Sequence, residues 1–77
     1  MIYCVEDDDS IRDLMLYTLK ASGFQGQGFS EAESFWQALA KEKPELVMLD
    51  VMLPGEDGIS ILKKLRGNVA TAGIPVI

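Results

Sequence analysis

The stretch Leu46-Val47-Met48-Leu49-Asp50 carries the strongest structural signal in the sequence. Its first four residues are apolar on both faces of an extended chain, which is typical of a strand inside a parallel sheet. The acid that follows marks the carboxyl end of that strand. We therefore predict a buried strand that ends at Leu49. Asp50 then lies at the sheet edge where open α/β proteins bind their ligands.

The N-terminal part of the chain shows the same arrangement of strand, acid and helix. The run Ile2–Val5 is continuously apolar, which predicts a buried strand, and Glu6 and Asp7 follow it directly. Apolar residues at helical spacing then predict a first helix, which Asp9 or Ser10 would cap. The residues at this spacing are Ile11, Leu14, Met15, Thr18 and Leu19.

Two further strand–helix units and the start of a strand follow. The stretch Phe24–Phe29 alternates apolar and polar residues but contains two glycines, which predicts a weak edge strand. Ser30–Glu33 matches a capping box and opens a second helix that runs to about Lys43. Asp57 is expected to cap a third helix, and Ile74–Ile77 reads as the start of a fourth strand. The inward positions predicted for these two helices are Ala32, Phe35, Trp36 and Leu39, then Gly58, Ile61, Leu62 and Leu65.

The strict alternation of strands and helices predicts an α/β fold, with a parallel sheet and helices on its faces. If the second strand lies outside the first, the first and third strands are neighbours. Glu6, Asp7 and Asp50 would then converge, at a cost that a cation offsets. Oxygen ligands select Mg²⁺, Mn²⁺ or Ca²⁺, and a site with few carboxylates favours Mg²⁺. The other early acids, Asp8, Asp9 and Asp13, are interpreted as residues that cap or begin the first helix.

The composition of the chain excludes several classes of binding partner and catalytic site. The chain has 77 residues, enough for one domain, with 12 acidic and 7 basic residues and a net charge of −5. This charge argues against binding of nucleic acid or anionic membrane by this segment. One cysteine, Cys4, and no histidine exclude zinc sites and histidine-based nucleophile systems; Cys4 itself is interpreted as a small buried hydrophobe. No signal peptide or membrane span is recognisable, so we expect a cytoplasmic protein.

Five segments, in this order and spacing, resemble the receiver domain of bacterial two-component response regulators. They are Val5–Asp8, Ile11–Arg12, Leu49–Gly55, Asp57–Gly58 and Ile74–Ile77. The Met-Leu-Pro-Gly form of the loop after the acidic strand end is similar to the subfamily that carries a winged-helix DNA-binding domain. The resemblance implies a phosphoacceptor domain, not an enzyme, that controls a DNA-binding output.

The resemblance also implies a role for individual residues. Asp50 is the phosphoryl acceptor, and a sensor histidine kinase is the donor. Glu6 and Asp7 are the acidic pair that holds Mg²⁺ together with Asp50, and the backbone carbonyl of Met52 is a further ligand. A register shifted by one residue, in which Asp7 and Asp8 form the pair, remains open.

The resemblance further implies a flavodoxin-like doubly wound sheet of strand order 2-1-3-4. Residues 1–77 would be a receiver domain truncated at the start of the fourth strand, with the fifth strand missing. Without the fourth and fifth helices of the family, we expect these 77 residues alone not to form a stable monomer. The open edge of the fourth strand also makes self-association an expectation. Without these helices one face of the third and fourth strands is uncovered, and we expect exposure there of residues such as Val47, Leu49 and Val76.

Two other functions are open from the sequence. A phosphatase of the haloacid-dehalogenase kind also uses an aspartate after a strand, but it places a second aspartate two residues later, where this chain has Met52. An inactive, receiver-like interaction fragment is the other alternative. The intact set of Glu6, Asp7 and Asp50 speaks against it, and the missing switch half of the family's domain speaks for it.

Overall fold

Three parallel strands form the centre of the molecule. The computed structural model describes residues 1–50 and 57–77. Strands β1 (Ile2–Val5), β2 (Gly26–Phe29) and β3 (Leu46–Leu49) are hydrogen-bonded in the order β2-β1-β3. The predicted α/β class with a parallel sheet is confirmed. The prediction of β2 as an edge strand also agrees with this order.

The C-terminal residues add the start of a fourth strand. Val76 forms a parallel bridge with Val47. The Leu49 amide donates to the Ile77 carbonyl at 3.0 Å, and the Ile77 amide donates to the Val47 carbonyl at 2.9 Å. Because β1 occupies the other edge of β3, these bonds give the predicted order 2-1-3-4.

The described residues contain three helices, which follow the three strands in turn: α1 (Asp9–Ala21), α2 (Ala32–Lys41) and α3 (Gly58–Gly67). Helix α1 begins one residue earlier than predicted. Its cap is Asp8, whose carboxylate accepts from the Ile11 amide at 3.0 Å, and not Asp9 or Ser10. Among the described residues, no helix combines the length and the apolar character that a bilayer crossing requires.

The two later helices differ in how their N-termini are satisfied. Asp57 caps α3 as predicted, since its carboxylate accepts from the Ser60 amide at 2.8 Å. The capping box predicted at the start of α2 is wrong, because Glu31 is the N-cap and makes no side-chain capping bond. Phe29 and Ala32 are both buried on either side of this turn. Core packing therefore sets the entry into α2.

The core lies between the sheet and helices α2 and α3. The Tyr3 ring contacts Phe29 and Phe35 edge-on, at centroid distances of 5.1 and 6.2 Å, and its hydroxyl donates to the Glu42 carbonyl at 2.6 Å. Leu62, predicted to point inward, is 37% exposed. The buried core comprises Tyr3, Val5, Phe29, Ala32, Phe35, Leu39, Val47, Ile61, Leu65 and Ile74.

The burial of Val47 corrects one expectation about exposure. Val47 is fully buried, whereas Leu49 and Val76 are half-buried. In the parallel register Val47 lies beside Tyr3. It therefore faces the side of the sheet that α2 and α3 cover.

Helix α1 packs on the opposite face of the sheet, with a different side inward than predicted. None of its residues is fully buried, and Ile11 and Leu14 are exposed. A Cβ atom built at Gly26 of β2 would lie 2.9 Å from Leu19 and 3.1 Å from Leu16, so this glycine allows close approach of the helix. The half-buried positions of α1 are Arg12, Met15, Leu16 and Leu19.

Candidate functional site

The carboxylates predicted to converge lie at the ends of two neighbouring strands. Glu6 follows β1, and its amide donates to the Phe29 carbonyl at 2.9 Å. Asp50 follows β3, and its amide donates to the Val5 carbonyl at 2.9 Å. The backbone ladder thus continues one residue past each strand. This continuation places Glu6 and Asp50 side by side at the carboxyl edge of the sheet.

Glu6, Asp7 and Asp50 form a single acidic cluster. One carboxylate oxygen from each lies within 4.8 Å of the other two. Glu6 and Asp50 are half-buried and Asp7 is exposed. A cavity of about 180 Å³ adjoins Glu6 and Asp50. An all-oxygen donor set fits a hard cation such as Mg²⁺.

The structure separates Asp8 from this cluster. Its carboxylate is used to cap α1, whereas Asp7 lies with Glu6 and Asp50. This arrangement supports the register in which Glu6 and Asp7 form the acidic pair. The predicted ligand Met52 lies outside the described residues. Cys4 is fully buried next to Met48, and burial raises the pKa of its thiol, in agreement with a structural role.

Arg12 is a neighbour of the cluster that the sequence analysis did not assign to the site. Its guanidinium donates to the backbone carbonyl of Glu6 at 2.8 Å and forms an ion pair with Asp9. Its position in the sequence could have indicated this role. Arg12 lies three and four residues before Met15 and Leu16, so the three residues share one side of the helix. The role was missed because hydrophobic periodicity assigns charged residues to the solvent side.

The electrostatics of the cluster are visible in Glu6. A hydrogen bond with the Asp50 carboxyl group, burial and a further bond with Asp7 raise the pKa of Glu6, while the Asp8 amide acts in the opposite direction. Close carboxylates retain a proton because both cannot ionise cheaply. A cation that binds here therefore competes with that proton.

The raised pKa of Glu6 leads us to predict that the domain loses stability as the pH rises. In the absence of divalent cations, we expect the free energy of unfolding to fall as the pH rises from about 4.5 through the raised pKa of Glu6. The native state holds the proton more tightly than the unfolded chain, so the contribution is present at low pH and lost above. Glu6→Gln removes this titration. Urea unfolding of both proteins in a chelating buffer, from about pH 4.5 to 7.5, measures the difference, and parallel pH profiles would contradict the prediction.

The fold and the cluster together define a class of protein. An open parallel α/β sheet in the order 2-1-3-4 is the flavodoxin-like arrangement. Its ligand site lies where the strand order reverses, and the acidic cluster occupies that place here. Within this class, residues 2–77 match the family model of the response regulator receiver domain. The chain belongs to the response regulator receiver domain family.

Curated relatives support this assignment. The chain is 42% identical over 76 residues to the transcriptional regulatory protein GltR of Pseudomonas aeruginosa, with 99% of this chain and 31% of that protein covered. It is 37% identical over 76 residues to the phosphate regulon transcriptional regulatory protein PhoB of Escherichia coli, with 99% and 33% covered. The chain thus spans about a third of the length of these relatives.

Solved structures show the same fold. The N-terminal domain of a response regulator receiver protein from Methanoculleus marisnigri JR1 superposes with a TM-score of 0.91 at 32% identity, covering 97% of this chain and 61% of that one. A putative response regulator from Chloroflexus aurantiacus gives a TM-score of 0.93 at 28% identity, covering 97% and 62%.

Proposed function

We propose that this receiver domain accepts a phosphoryl group on Asp50 from the phosphohistidine of a sensor histidine kinase. The observation that carries the proposal is the cluster of Glu6, Asp7 and Asp50 at the carboxyl edge of the sheet. Membership of the receiver family supports the same reaction. The chain contains no histidine, so the donor lies outside these 77 residues.

In the proposed reaction a carboxylate oxygen of Asp50 attacks the phosphorus atom in line. The new O–P bond gives an acyl phosphate, and the P–N bond to the donor imidazole breaks, with the electron pair leaving on the nitrogen. The backbone bond from the Asp50 amide to Val5 holds the nucleophile at the sheet edge. A carboxylate oxygen is nucleophilic in its ionised form, so the step needs no general base.

Glu6, Asp7 and Asp50 would hold Mg²⁺, with the Met52 backbone carbonyl as a further proposed ligand. When bound, the cation supplies positive charge that stabilises the transferring phosphoryl oxygens. Glu6 and Asp7 present their oxygens beside Asp50, which gives the cation three carboxylate ligands within one cluster. Without the cation, the same carboxylates repel an anionic donor.

The output is proposed to be transcriptional. GltR and PhoB are named as transcriptional regulatory proteins, and this chain matches about a third of each. The net charge of −5 does not suit contact with DNA by these residues. We therefore assign DNA binding to a separate output domain, which the receiver would control.

Incubation with acetyl phosphate and Mg²⁺ tests the proposed reaction. The protein should gain one phosphoryl mass, the gain should require Mg²⁺, and hydroxylamine should remove it because it cleaves acyl phosphates. Intact-mass spectrometry with and without a chelator measures all three. The phosphatase alternative predicts sustained turnover of p-nitrophenyl phosphate, and the inactive alternative predicts no mass gain.

The assignment of the acidic pair makes a separate prediction. Asp7→Asn should weaken Mg²⁺ binding by at least about tenfold, since it removes a charged ligand of the cation. Asp8→Asn should have a smaller effect, because asparagine still caps α1. Titration calorimetry on the two variants compares them. A larger loss for Asp8→Asn would move the pair to Asp7 and Asp8.

A further inference from the structure

Arg12 is a charged residue on the side of α1 that faces the sheet. Its side chain is 18% exposed, and the other half-buried positions of this helix are the apolar Met15, Leu16 and Leu19. A guanidinium is rarely buried to this extent without hydrogen-bonding partners. The contacts of Arg12 therefore indicate what holds it there.

These contacts connect α1 to the acidic end of β1. One terminal nitrogen of Arg12 donates to the Glu6 carbonyl at 2.8 Å, and the other pairs with the Asp9 carboxylate, which is largely exposed. The Glu6 amide already donates to the Phe29 carbonyl at 2.9 Å. Both main-chain polar groups of Glu6 are thus bonded, one to β2 and one to α1. The carbonyl that Arg12 holds belongs to the peptide that joins Glu6 to Asp7.

Gly28 in β2 provides the space that Arg12 occupies. A Cβ atom built at Gly28 would lie 2.9 Å from Arg12 Cδ and 3.0 Å from both Arg12 Cγ and Leu16 Cδ1, all closer than ordinary van der Waals contact. The equivalent atom at Gly26 would meet Leu19 and Leu16, and Arg12 is not among its near neighbours. Both glycines allow α1 to approach the strand closely, but only Gly28 leaves space for the aliphatic part of the Arg12 side chain.

We propose that Arg12, seated over Gly28, is a positioning residue for the acidic cluster. It fixes the peptide between Glu6 and Asp7, so that the carboxylates on both sides of this peptide are arranged before a cation arrives. The inference rests on the proposed function only in taking Mg²⁺ as that cation. Mutation of residues that orient metal ligands commonly weakens metal binding by about 10–100-fold.

The charge of Arg12 acts against its positioning role, and this opposition makes the proposal testable. A positive charge beside the cluster repels a cation, so removal of the charge alone would strengthen Mg²⁺ binding. Arg12→Lys retains the charge but lacks the planar fork that serves two acceptors. Arg12→Met removes both. We expect Mg²⁺ to bind about tenfold more weakly to Arg12→Lys, and to lose less affinity in Arg12→Met because removal of the charge offsets part of the lost positioning.

The two glycines supply a matched pair of variants. Gly28→Ala displaces Arg12 without altering it and should weaken Mg²⁺ binding about tenfold. Gly26→Ala disturbs the same strand and helix but leaves Arg12 in place, so its affinity should equal that of the wild type. The double variant Arg12→Met, Gly28→Ala should bind no more weakly than Arg12→Met alone, because both changes remove one interaction.

A measurement on the cation-free protein separates positioning from charge. The Asp7 amide is part of the peptide whose carbonyl Arg12 holds. Its nitrogen resonance should therefore shift in Arg12→Lys and Gly28→Ala, but not in Gly26→Ala. Circular dichroism identifies variants that keep the native fold, and Arg12→Lys, the mildest change, is the decisive one.

The outcomes separate this inference from the proposed function. Tighter Mg²⁺ binding by Arg12→Met with unchanged binding by Arg12→Lys would show that charge alone acts, and would overturn the positioning role. Unchanged affinity and an unchanged Asp7 resonance in Arg12→Lys would overturn it as well. Loss of binding in Asp7→Asn alongside these results would leave the cation site standing. If Asp7→Asn binds Mg²⁺ normally, the proposed cation site itself fails.

Discussion

Replacing Asp50 with asparagine should abolish phosphorylation of the protein by acetyl phosphate. The wild type gains one phosphoryl mass, and the variant gains none, because the neutral amide oxygen is a poor nucleophile. The variant also places a neutral group in the acidic cluster, so Mg²⁺ binding should weaken. Intact-mass spectrometry over the same time course measures the loss.

Asp57→Asn is the matched control for this experiment. Asp57 lies close in the chain, but its carboxylate caps α3, a role that asparagine fills about equally well. We expect this variant to be phosphorylated like the wild type. Equal labelling of Asp50→Asn would show that another residue is the acceptor, and the assignment would be wrong.

Phe35→Ala should cause a large loss of stability. Phe35 is fully buried, and its ring contacts those of Tyr3, Phe29 and Trp36 at centroid distances of 6.2, 6.0 and 5.0 Å. Truncating a buried phenylalanine typically costs about 3–5 kcal/mol. A whole domain has only about 5–15 kcal/mol of net stability. We therefore expect most of the folded signal to be lost in mild denaturant.

Tyr17→Ala provides the comparison with an aromatic residue on the surface. Tyr17 lies on α1 and is 71% exposed, so its removal should change the free energy of unfolding by less than about 0.5 kcal/mol. Urea unfolding followed by circular dichroism measures both variants. If the two lost similar amounts of stability, the core would not lie between the sheet and α2 and α3.

The strands and the acidic cluster were predictable because their signals are local and agree with one another. The run Leu46–Leu49 is apolar without interruption, and an acid ends it. The run Ile2–Val5 has the same form. The parallel sheet and the meeting of Glu6, Asp7 and Asp50 follow once these strands are neighbours.

The faces of the elements were not predictable from the same signals. A strand that is apolar on both faces does not indicate which helices cover each face, so the exposure of Val47 was predicted incorrectly. Helix α1 has two possible inward sides, and the more apolar one includes Ile11 and Leu14. The structure turns the side with Arg12 to the sheet, because the guanidinium finds acceptors in Glu6 and Asp9.

The ends of the helices show a similar limit of local patterns. Consecutive acids before α1 can all serve as caps, and the sequence does not rank Asp8 above Asp9. At α2, the buried residues Phe29 and Ala32 fix the path of the chain, so the capping box at Ser30 does not form. Leu62 matches the apolar period of α3 but lies at the rim of the buried side.

The backbone bonds that place Glu6 and Asp50 have a consequence for the order of events in folding. Asp50 is positioned by Val5, and Glu6 by Phe29, so both of these backbone bonds join segments that are distant along the chain. During synthesis the cluster cannot assemble before β3 has left the ribosome. A cation that binds this cluster, as proposed, would therefore bind only the assembled sheet. It would slow the unfolding of the domain and leave the rate of its folding unchanged.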